Sequence, residues 1–198
     1  MSIHFIRLLC LGECNVGKTS LINKFLGDSC EDVIPTVGIV YSSKSFLVHT
    51  NVSATIQIWD FSGKDQEESY RRAFYSRAHG IVFVFDVTRL ESYHKVLGMI
   101  EEIRRESTAQ MFVCGNKIDI PFDEWQVNRQ NIQADSQQFC FTYFEVSALA
   151  TGEIVNAFFS AIACKIENTI IESTQLEQKQ AKEVIQRKCK LFSEVYKN

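Results

Sequence analysis

The sequence predicts an α/β fold: a doubly wound, mostly parallel six-stranded sheet with one antiparallel edge strand. Short apolar runs alternate with longer amphipathic stretches, and several runs end in polar residues, as buried parallel strands do. Strands that alternate with helices imply right-handed crossovers and helices on both faces of the sheet. With 45% hydrophobic and 23% charged residues, the 198-residue chain has enough core for one domain, or one domain plus an appendage.

The elements can be placed in chain order. The predicted strands are residues 3–12, 40–49, 53–59, 81–87, 111–117 and 141–148. Apolar residues recur at helical spacing over 17–27 and 152–166, which predicts helices there, whereas 89–106 and 123–138 have helical or loop character. A turn at Thr50–Asn51 joins the second and third strands into a hairpin, and this hairpin supplies the antiparallel edge strand.

The composition changes after about residue 167, where Glu, Gln and Lys dominate. Apolar pairs at 170–171, 184–185 and 191–192 fit a helix with one apolar stripe. We therefore predict a domain over 1–167 and a helical extension over 168–198. A helix that docks on its own domain and a helix that binds a partner are equally compatible with this pattern.

Charge and cysteine usage exclude several classes of protein. A formal net charge of -3 gives no electrostatic reason to expect nucleic acid as a partner. The seven cysteines form no CxxC pairs, and the N-terminus does not resemble a signal peptide. We also expect no apolar stretch long enough to cross a bilayer. We therefore expect reduced thiols and a cytoplasmic protein, peripheral to membranes only through protein partners.

The segment GECNVGKTS follows a buried strand and precedes a helix, which is the context that a phosphate-binding P-loop requires. Its glycines let backbone N–H groups face phosphate oxygens, while Lys18 supplies a charge and Thr19 a hydroxyl for Mg²⁺. The predicted phosphate-binding residues are Gly12, Glu13, Cys14, Asn15, Val16, Gly17, Lys18, Thr19 and Ser20. This loop alone leaves kinases, ATPases and GTPases open.

Two polar turns at strand ends indicate which base is bound. In NKID, the carboxylate of Asp119 matches the paired donors of guanine and not the pattern of adenine. Asn116 can hold the surrounding loops, and the stem of Lys117 can cover the base. In EVSAL, Ser147 serves the loop, the Ala148 N–H serves the guanine O6, and Leu149 adjoins them. Together the two turns predict guanine.

Five segments now occur in the order of one known family: GECNVGKTS, PTVG, WDFSG, NKID and EVSAL. Over residues 5–166 the chain resembles the small GTPases of the Ras superfamily, and it looks most like the Rab branch. The Rab likeness rests on IQIWD, on SYRRAFYSRA and on SAL. The resemblance implies a P-loop NTPase G domain that binds GTP or GDP with Mg²⁺.

The resemblance also implies roles for single residues. Thr19, Thr36 and, through a water, Asp60 would hold Mg²⁺, and the Gly63 N–H would contact the γ-phosphate. Lys18, Thr36, Gly63 and Lys64 are the predicted catalytic residues. Effector proteins would bind the switch regions and an aromatic triad of Tyr41, Trp59 and Phe74, although plain core packing also explains two of these rings. An exchange factor and a GTPase-activating protein (GAP) are further partners that the family implies.

One departure concerns hydrolysis. Relatives place a water-orienting Gln directly after the switch II glycine, where this chain has Lys64. An ammonium group cannot accept a hydrogen bond from water, so we expect slow hydrolysis. Three readings stay open: a slow GTPase, a GTPase in which Lys64 itself stabilises γ-phosphate charge, and a non-hydrolysing pseudo-GTPase. Gln66 could replace the missing group only if the loop changed shape.

Other departures concern affinity and anchoring. Phe61–Ser62 replaces Thr–Ala and is expected to bring a bulky ring near the site, while Cys14 adds a side chain in the phosphate loop. Ser29 or Cys30 stands where relatives have a base-covering aromatic, which predicts weaker nucleotide binding and faster exchange. The sequence ends without a prenylation motif, so no direct lipid anchor is expected in these 198 residues; a longer native chain stays open.

Overall fold

The structure is a computed structural model. It describes the backbone of residues 3–28, 36–49, 52–63 and 68–195, and side chains within 5–28, 36–45, 54–63 and 71–176. The predicted turn at Thr50–Asn51 and the interpretations placed on Ser29, Cys30, Lys64 and Gln66 lie outside the described residues.

Six strands, five α-helices and one short 3₁₀ turn follow one another along the described chain. In order they are β1 (Ile3–Leu11), α1 (Lys18–Leu26), β2 (Ile39–His49), β3 (Val52–Phe61), α2 (Glu68–Tyr75), β4 (Gly80–Asp86), α3 (Leu90–Ile103), β5 (Gln110–Asn116), the 3₁₀ turn (Phe122–Glu124), α4 (Arg129–Gln138), β6 (Thr142–Glu145) and α5 (Gly152–Val195).

The strands form one sheet in the order β2-β3-β1-β4-β5-β6. Only β2 runs antiparallel to its neighbour, so the predicted fold class is confirmed. Cys10 pairs with both Asp60 and Val82, and Asp86 pairs with Asn116, so the strands end close together. The order reverses at β1, and loops that follow the carboxyl ends of strands at such a point form a crevice.

Side chains alternate between the two faces of the sheet because a strand has a period of two. On one face, Leu9 and Leu11 belong to a core with Tyr75 of α2, Tyr93 of α3 and Ile132 of α4. On the other face, Phe25 of α1 lies 4.2 Å from Phe159 of α5, and Phe144 of β6 lies 5.3 Å from Phe158, measured between ring centroids. Helices therefore cover both faces.

The structure differs from the sequence prediction at α2, a helix that the prediction lacks. Over its described side chains, 71–75, the buried positions are Arg71 and Tyr75, one helical turn apart. Because one of these positions is an arginine, hydrophobic periodicity gives little signal there. Strand β6 is also shorter than the predicted 141–148, since Ser147 and Ala148 lie in the loop that follows it.

The expectation that Phe61 crowds the site is wrong. Its side chain is fully buried in the same core as Leu9, and its ring meets that of Phe74 edge to face at 5.5 Å. Asp60 points to the opposite side, as the strand period requires. The substitution of Thr–Ala by Phe–Ser therefore adds core volume beneath the site without placing a ring in it.

The described contacts divide the chain into two units, Met1–Ala163 and Cys164–Asn198. The first contains the sheet and the beginning of α5, and the second consists of the rest of α5 and the residues after it. The predicted boundary after residue 167 and the two roles for the extension stay predictions. Ile170, Ile171 and Leu176 are exposed.

One described segment, Gly152–Leu176, is long and apolar enough to cross a membrane by length and composition alone, which the sequence prediction did not recognise. The apolar residues Val155, Phe159 and Ile162 on it are buried in the structure. A core helix of a globular domain meets the same length and composition test, so this finding is weak evidence for a membrane span.

We predict that Phe61→Ala lowers the free energy of unfolding by about 3–5 kcal/mol, because it removes a fully buried ring and leaves a cavity. Urea denaturation at a constant m-value measures the change. Phe122→Ala is the matched control: the Phe122 ring is 63% exposed and should cost about 1 kcal/mol or less. Equal losses in the two variants would contradict the buried position of Phe61.

Candidate functional site

The polar residues singled out by the sequence converge at the carboxyl ends of the parallel strands. The segment from Gly12 to Gly17 follows β1, Ser62 and Gly63 follow β3, and the turn from Val87 to Arg89 follows β4. Lys117 to Asp119 follow β5, and Val146 to Leu149 follow β6. Five loops therefore meet at one edge of the sheet.

The phosphate loop depends on two glycines in left-handed conformations. Gly12 has a φ of 144°, and a Cβ added there would lie 2.2 Å from the carbonyl oxygen of Val84. Gly17 has a φ of 92°, and its added Cβ would lie 2.2 Å from Nδ2 of Asn116. No side chain fits at either position, so both glycines are required by conformation and by space.

Lys18 begins α1, yet its side chain is only 6% exposed because it folds back under the loop. Its Nζ donates to the carbonyl oxygens of Gly12 at 3.0 Å and Glu13 at 2.8 Å. These bonds hold the ammonium group inside the curve of the loop, next to the N-terminus of a helix. Both features favour an anion.

Three side chains from separate loops form a compact oxygen cluster. Thr19 Oγ1 donates to Oδ2 of Asp60 at 2.5 Å and lies 2.8 Å from Thr36 Oγ1, either of which can donate. Thr36 Oγ1 also donates to Asp60 Oδ2 at 3.3 Å. These are the three residues predicted to bind Mg²⁺.

The cluster fits a small divalent cation. Asp60 is 2% exposed, and its buried Oδ1 has no hydrogen-bond partner among the residues that the structure describes. Burial raises the pKa of Asp60 above its ordinary value, although hydrogen bonds from Thr19 and Thr36 and the charge of Lys18 oppose the shift. A buried carboxylate with a raised pKa costs stability when it ionises, and a cation would offset that cost.

Distances support the same fit. Octahedral Mg²⁺ with ligands at about 2.0–2.1 Å places adjacent ligand oxygens about 2.8–3.0 Å apart, close to the 2.8 Å between the two threonine hydroxyls. Among the described residues, no group of three or more His, Cys, Asp or Glu side chains could hold a metal ion. Thr19, Thr36 and Asp60 are therefore the candidates that the described part offers.

Gly63 joins the third strand's loop to the phosphate loop. A Cβ added at Gly63 would lie 2.4 Å from the Cys14 nitrogen and 2.5 Å from the Glu13 carbonyl carbon. The two backbones are thus in direct contact. Beside Gly63, the N–H of Ser62 donates to the Gly38 carbonyl at 3.0 Å, which links this loop to the chain entering β2.

A cavity of about 210 Å³ lies beside the phosphate loop. It is lined by Gly17, Ser20, Asn116, Lys117, Asp119, Ser147, Ala148 and Leu149, all of which the sequence assigned to nucleotide binding. The structure brings these residues together, while their binding roles stay predictions.

Asn116 and Asp119 hold the loops around this cavity. Nδ2 of the buried Asn116 donates to the Val16 carbonyl at 2.7 Å, and its Oδ1 accepts from the Ala148 N–H at 3.0 Å. Asp119 Oδ1 accepts a hydrogen bond from Ser147 Oγ. The Ala148 N–H predicted to reach the base therefore has a protein acceptor in this structure, and base binding would have to share or replace that bond.

Asp86 is a site residue that the sequence reading missed. It ends the fully buried strand β4, is 2% exposed on its side chain, and its Oδ2 lies 2.5 Å from Nζ of Lys117. Its Oδ1 accepts from the N–H and the hydroxyl of Thr88 at 3.0 and 2.7 Å. Burial raises the pKa of Asp86, but the bonds from Lys117 and Thr88 outweigh it and hold the pKa below the ordinary value.

The ion pair explains the backbone of Lys117, whose φ of 67° is uncommon for a side chain of this size. Asp86 holds the ammonium group while the stem of Lys117 lines the cavity. A signal for Asp86 was present in the sequence, namely an acidic residue that ends an otherwise apolar strand at the site edge of the sheet.

The predicted aromatic triad forms a row of contacting rings. The centroids of Tyr41 and Trp59 are 5.9 Å apart, and those of Trp59 and Phe74 are 6.0 Å apart. Tyr41 is 54% exposed, whereas Trp59 and Phe74 also pack against the core that contains Phe61. The row therefore runs from the surface into the core, and effector binding by these rings stays a prediction.

The fold and its phosphate loop define the class: this is a P-loop NTPase. A sequence model of the Ras family matches residues 7–168, and the chain therefore belongs to the Ras family of small GTPases. Within that family it is Rab-like, as its resemblance to Rab and Ypt proteins shows.

Three relatives illustrate the similarity. The GTP-binding protein ypt5 of Schizosaccharomyces pombe is 30% identical over 163 residues, which cover 81% of this chain and 77% of the relative. The GTP-binding protein YPT1 of Saccharomyces cerevisiae is 29% identical over 186 residues, covering 91% and 87%. Mouse Ras-related protein Rab-3C is 32% identical over 148 residues, covering 73% and 64%.

We predict that Asp86→Asn lowers the free energy of unfolding by about 1–3 kcal/mol at pH 7, because it removes the charge that Lys117 and Thr88 bind. Because the pKa of Asp86 is lowered, its ionised carboxylate stabilises the folded state at pH values above the ordinary pKa of Asp. This stabilisation is lost as the pH falls below about 4. Urea unfolding at pH 7 and pH 3 should therefore show a gap between variant and wild type that narrows at pH 3.

The matched control is Asp123→Asn, an exposed acid in the 3₁₀ turn, which should change stability little at either pH. An Asp86→Asn variant as stable as wild type at pH 7 would refute the structural role of the ion pair.

Proposed function

We propose that the chain is a Rab-like molecular switch that binds GTP and GDP with Mg²⁺ and hydrolyses GTP slowly. The observation that most supports this proposal is the side chain of Asn116, which is hydrogen-bonded both to the phosphate loop and to Ala148 in the wall of the cavity. A nucleotide needs these two sites at a fixed separation, one for phosphates and one for a base. The membership of the Ras family supports the same conclusion.

Guanine is the proposed base because the cavity is lined by the carboxylate of Asp119 and the backbone of Ala148. A carboxylate accepts the paired N1–H and N2–H₂ donors of guanine, and adenine presents no such pair. A hydrogen bond from Ser147 Oγ to Oδ1 orients the carboxylate of Asp119.

The proposed Mg²⁺ ligands are the hydroxyls of Thr19 and Thr36, with Asp60 acting through a water. When bound, the ion would neutralise charge on the phosphate oxygens. Lys18 would hold the phosphates from beneath the loop, and Gly63, which lies at the contact between the two loops, would donate its N–H to the γ-phosphate. Because Thr36 and Gly63 come from different loops, a terminal phosphate that bound both would order them together.

We propose slow hydrolysis because residue 64 is a lysine. Lys64 lacks an acceptor with which to orient water. The ring of Phe61 lies in the core and has no part in the proposal, which depends on Lys64 and, to a lesser degree, on the Cys14 side chain. A pseudo-GTPase that signals by occupancy is the alternative on the same residue.

We also propose effector proteins as partners of the switch regions and of the row Tyr41–Trp59–Phe74, with an exchange factor and a GAP as regulators. The exposed ring of Tyr41 and the exposed side chain of Val37 provide apolar contact area beside Thr36. By its Rab likeness the protein would act in vesicle trafficking, in the cytoplasm and at membranes through protein partners.

We predict that excess GDP displaces a fluorescent guanine nucleotide from the protein, whereas ADP at the same concentration does not. The expected preference is at least about 100-fold, since the carboxylate of Asp119 can accept both paired donors of guanine and would stay unpaired beneath adenine. Equal competition by ADP would refute the assignment of Asp119. The same titration on Asp119→Ala should weaken GDP binding far more than Asp123→Ala, an exposed acid outside the cavity.

We predict that Lys64→Gln accelerates single-turnover GTP hydrolysis by about tenfold or more, because the amide supplies an acceptor for the attacking water. Lys24→Gln, the same change in α1, should leave the rate unaltered. A slower Lys64→Gln variant would instead assign Lys64 a charge-stabilising role. If neither wild type nor Lys64→Gln hydrolyses bound GTP, the pseudo-GTPase alternative is favoured.

A further inference from the structure

An ion-pair cluster lies on the phosphate loop and has no part in the proposed function. Arg89 Nη2 is 2.7 Å from Oε2 of Glu13, and Lys95 Nζ is 2.6 Å from Oε1. The Glu13 side chain is only 16% exposed, so two cations enclose its carboxylate. Glu13 was assigned to nucleotide binding from its place in the motif, but its side chain contacts Arg89 and α3.

Arg89 also contacts the loop backbone directly. Its Nη1 donates to the carbonyl oxygen of Cys14 at 3.4 Å. In a trans peptide the carbonyl and the following N–H point in opposite directions. The N–H of Asn15 therefore points away from Arg89, and in a phosphate loop the N–H groups that point inward are those that bind the anion.

The backbone of Asn15 has a φ of 62°, in the left-handed region, which Asn tolerates better than most residues but which still costs some energy. The guanidinium group holds the peptide that precedes Asn15, and a cation at the carbonyl end polarises the N–H at the other end. Glu13 in turn fixes the guanidinium, while Lys95 shares its carboxylate.

The same backbone also faces Gly63, whose added Cβ would lie 2.4 Å from the Cys14 nitrogen. The stretch Glu13–Cys14 is thus held from several directions: by Lys18 on the Glu13 carbonyl, by Gly63 at the peptide nitrogen and by Arg89 at the Cys14 carbonyl. Loss of Arg89 removes the contact that fixes the orientation of the next peptide.

We propose that Arg89, oriented by Glu13, is a positioning residue for the phosphates of the bound nucleotide. It does not touch the nucleotide; it sets the direction of the Asn15 N–H by holding the Cys14–Asn15 peptide. This inference rests on the proposed function, because it requires that the loop bind a guanine nucleotide.

A simpler role is a staple that joins α3 to the loop and affects only stability. The two roles differ in what they change at the ligand. A positioning residue changes the environment of the β-phosphate, whereas a staple lowers thermal stability and leaves the bound phosphate as it was.

The test uses the full chain as wild type, Arg89→Ala and Arg89→Lys. Two quantities are measured: the dissociation rate of ribose-labelled fluorescent GDP chased by unlabelled GDP, and the ³¹P spectrum of bound GDP. Arg89→Ala should release GDP about tenfold faster. This effect is small for the loss of a charge-assisted hydrogen bond, because the bond from Arg89 to the Cys14 carbonyl is long and the arginine is partly exposed. In this variant the β-phosphate resonance should shift.

Arg89→Lys keeps the charge but lacks the fork that serves Glu13 and the Cys14 carbonyl together, so its rate should lie between the other two. Arg72→Ala is the matched control, since Arg72 is a half-exposed arginine that pairs with Glu102 and Glu106. It should change neither quantity. If Arg89→Ala does not fold, Glu13→Gln tests the same link, because it releases the guanidinium and should produce the same shift to a smaller degree.

Two results would overturn the inference. One is an Arg89→Ala dissociation rate within about twofold of wild type. The other is faster dissociation with an unchanged β-phosphate resonance, which identifies a staple. A wild-type protein that fails to bind GDP would instead refute the proposed function, so the two failures are distinguishable.

Discussion

The buried amide of Asn116 is the interaction on which the candidate site depends. It donates to the Val16 carbonyl and accepts from the Ala148 N–H, so one side chain sets the distance between the phosphate loop and the loop after β6. The same amide explains why position 17 is glycine, because a Cβ there would overlap it. The separation of the proposed phosphate and base sites is therefore fixed by hydrogen bonds within the protein, which would lower the ordering cost of binding.

Much of this arrangement follows from local sequence. The strands are apolar runs that end in polar residues, so their positions along the chain and the fold class could be predicted, as could the loops built on Gly12, Gly17 and the NKID turn. The order of the strands in the sheet was not predicted. The role of Asn116 as a holder of loops could also be predicted from its residue type and position. Its two partners could not, since they come from parts of the chain 100 and 32 residues away.

The sequence did not predict the residues that hold site residues in place through ion pairs. Asp86 and Arg89 belong to no motif, and their importance appears only when the fold brings Lys117 and Glu13 to them. Helix α2 was missed because an arginine occupies a buried position in it. The position of Phe61 was predicted wrongly because the two-residue period of a strand was not applied to it. With Asp60 pointing into the site, that period directs the ring of Phe61 into the core. The partners in an ion pair can be identified only once the fold is known, whereas the direction of the Phe61 side chain could be predicted from the alternation of side chains along a strand.

The row of rings through Trp59 has an optical consequence. Its indole lies between a ring from β2 and a ring from α2, and it is directly adjacent in sequence to Asp60. Tryptophan emission responds to the polarity and packing around the indole, so a rearrangement of either neighbouring element would alter it. Trp125, whose Nε1 donates to the Ile120 carbonyl at 3.0 Å in a different loop, contributes a separate background. The protein thus carries an intrinsic fluorophore in the same strand as Asp60, and a rearrangement of β2 or α2 around it could be followed without a label.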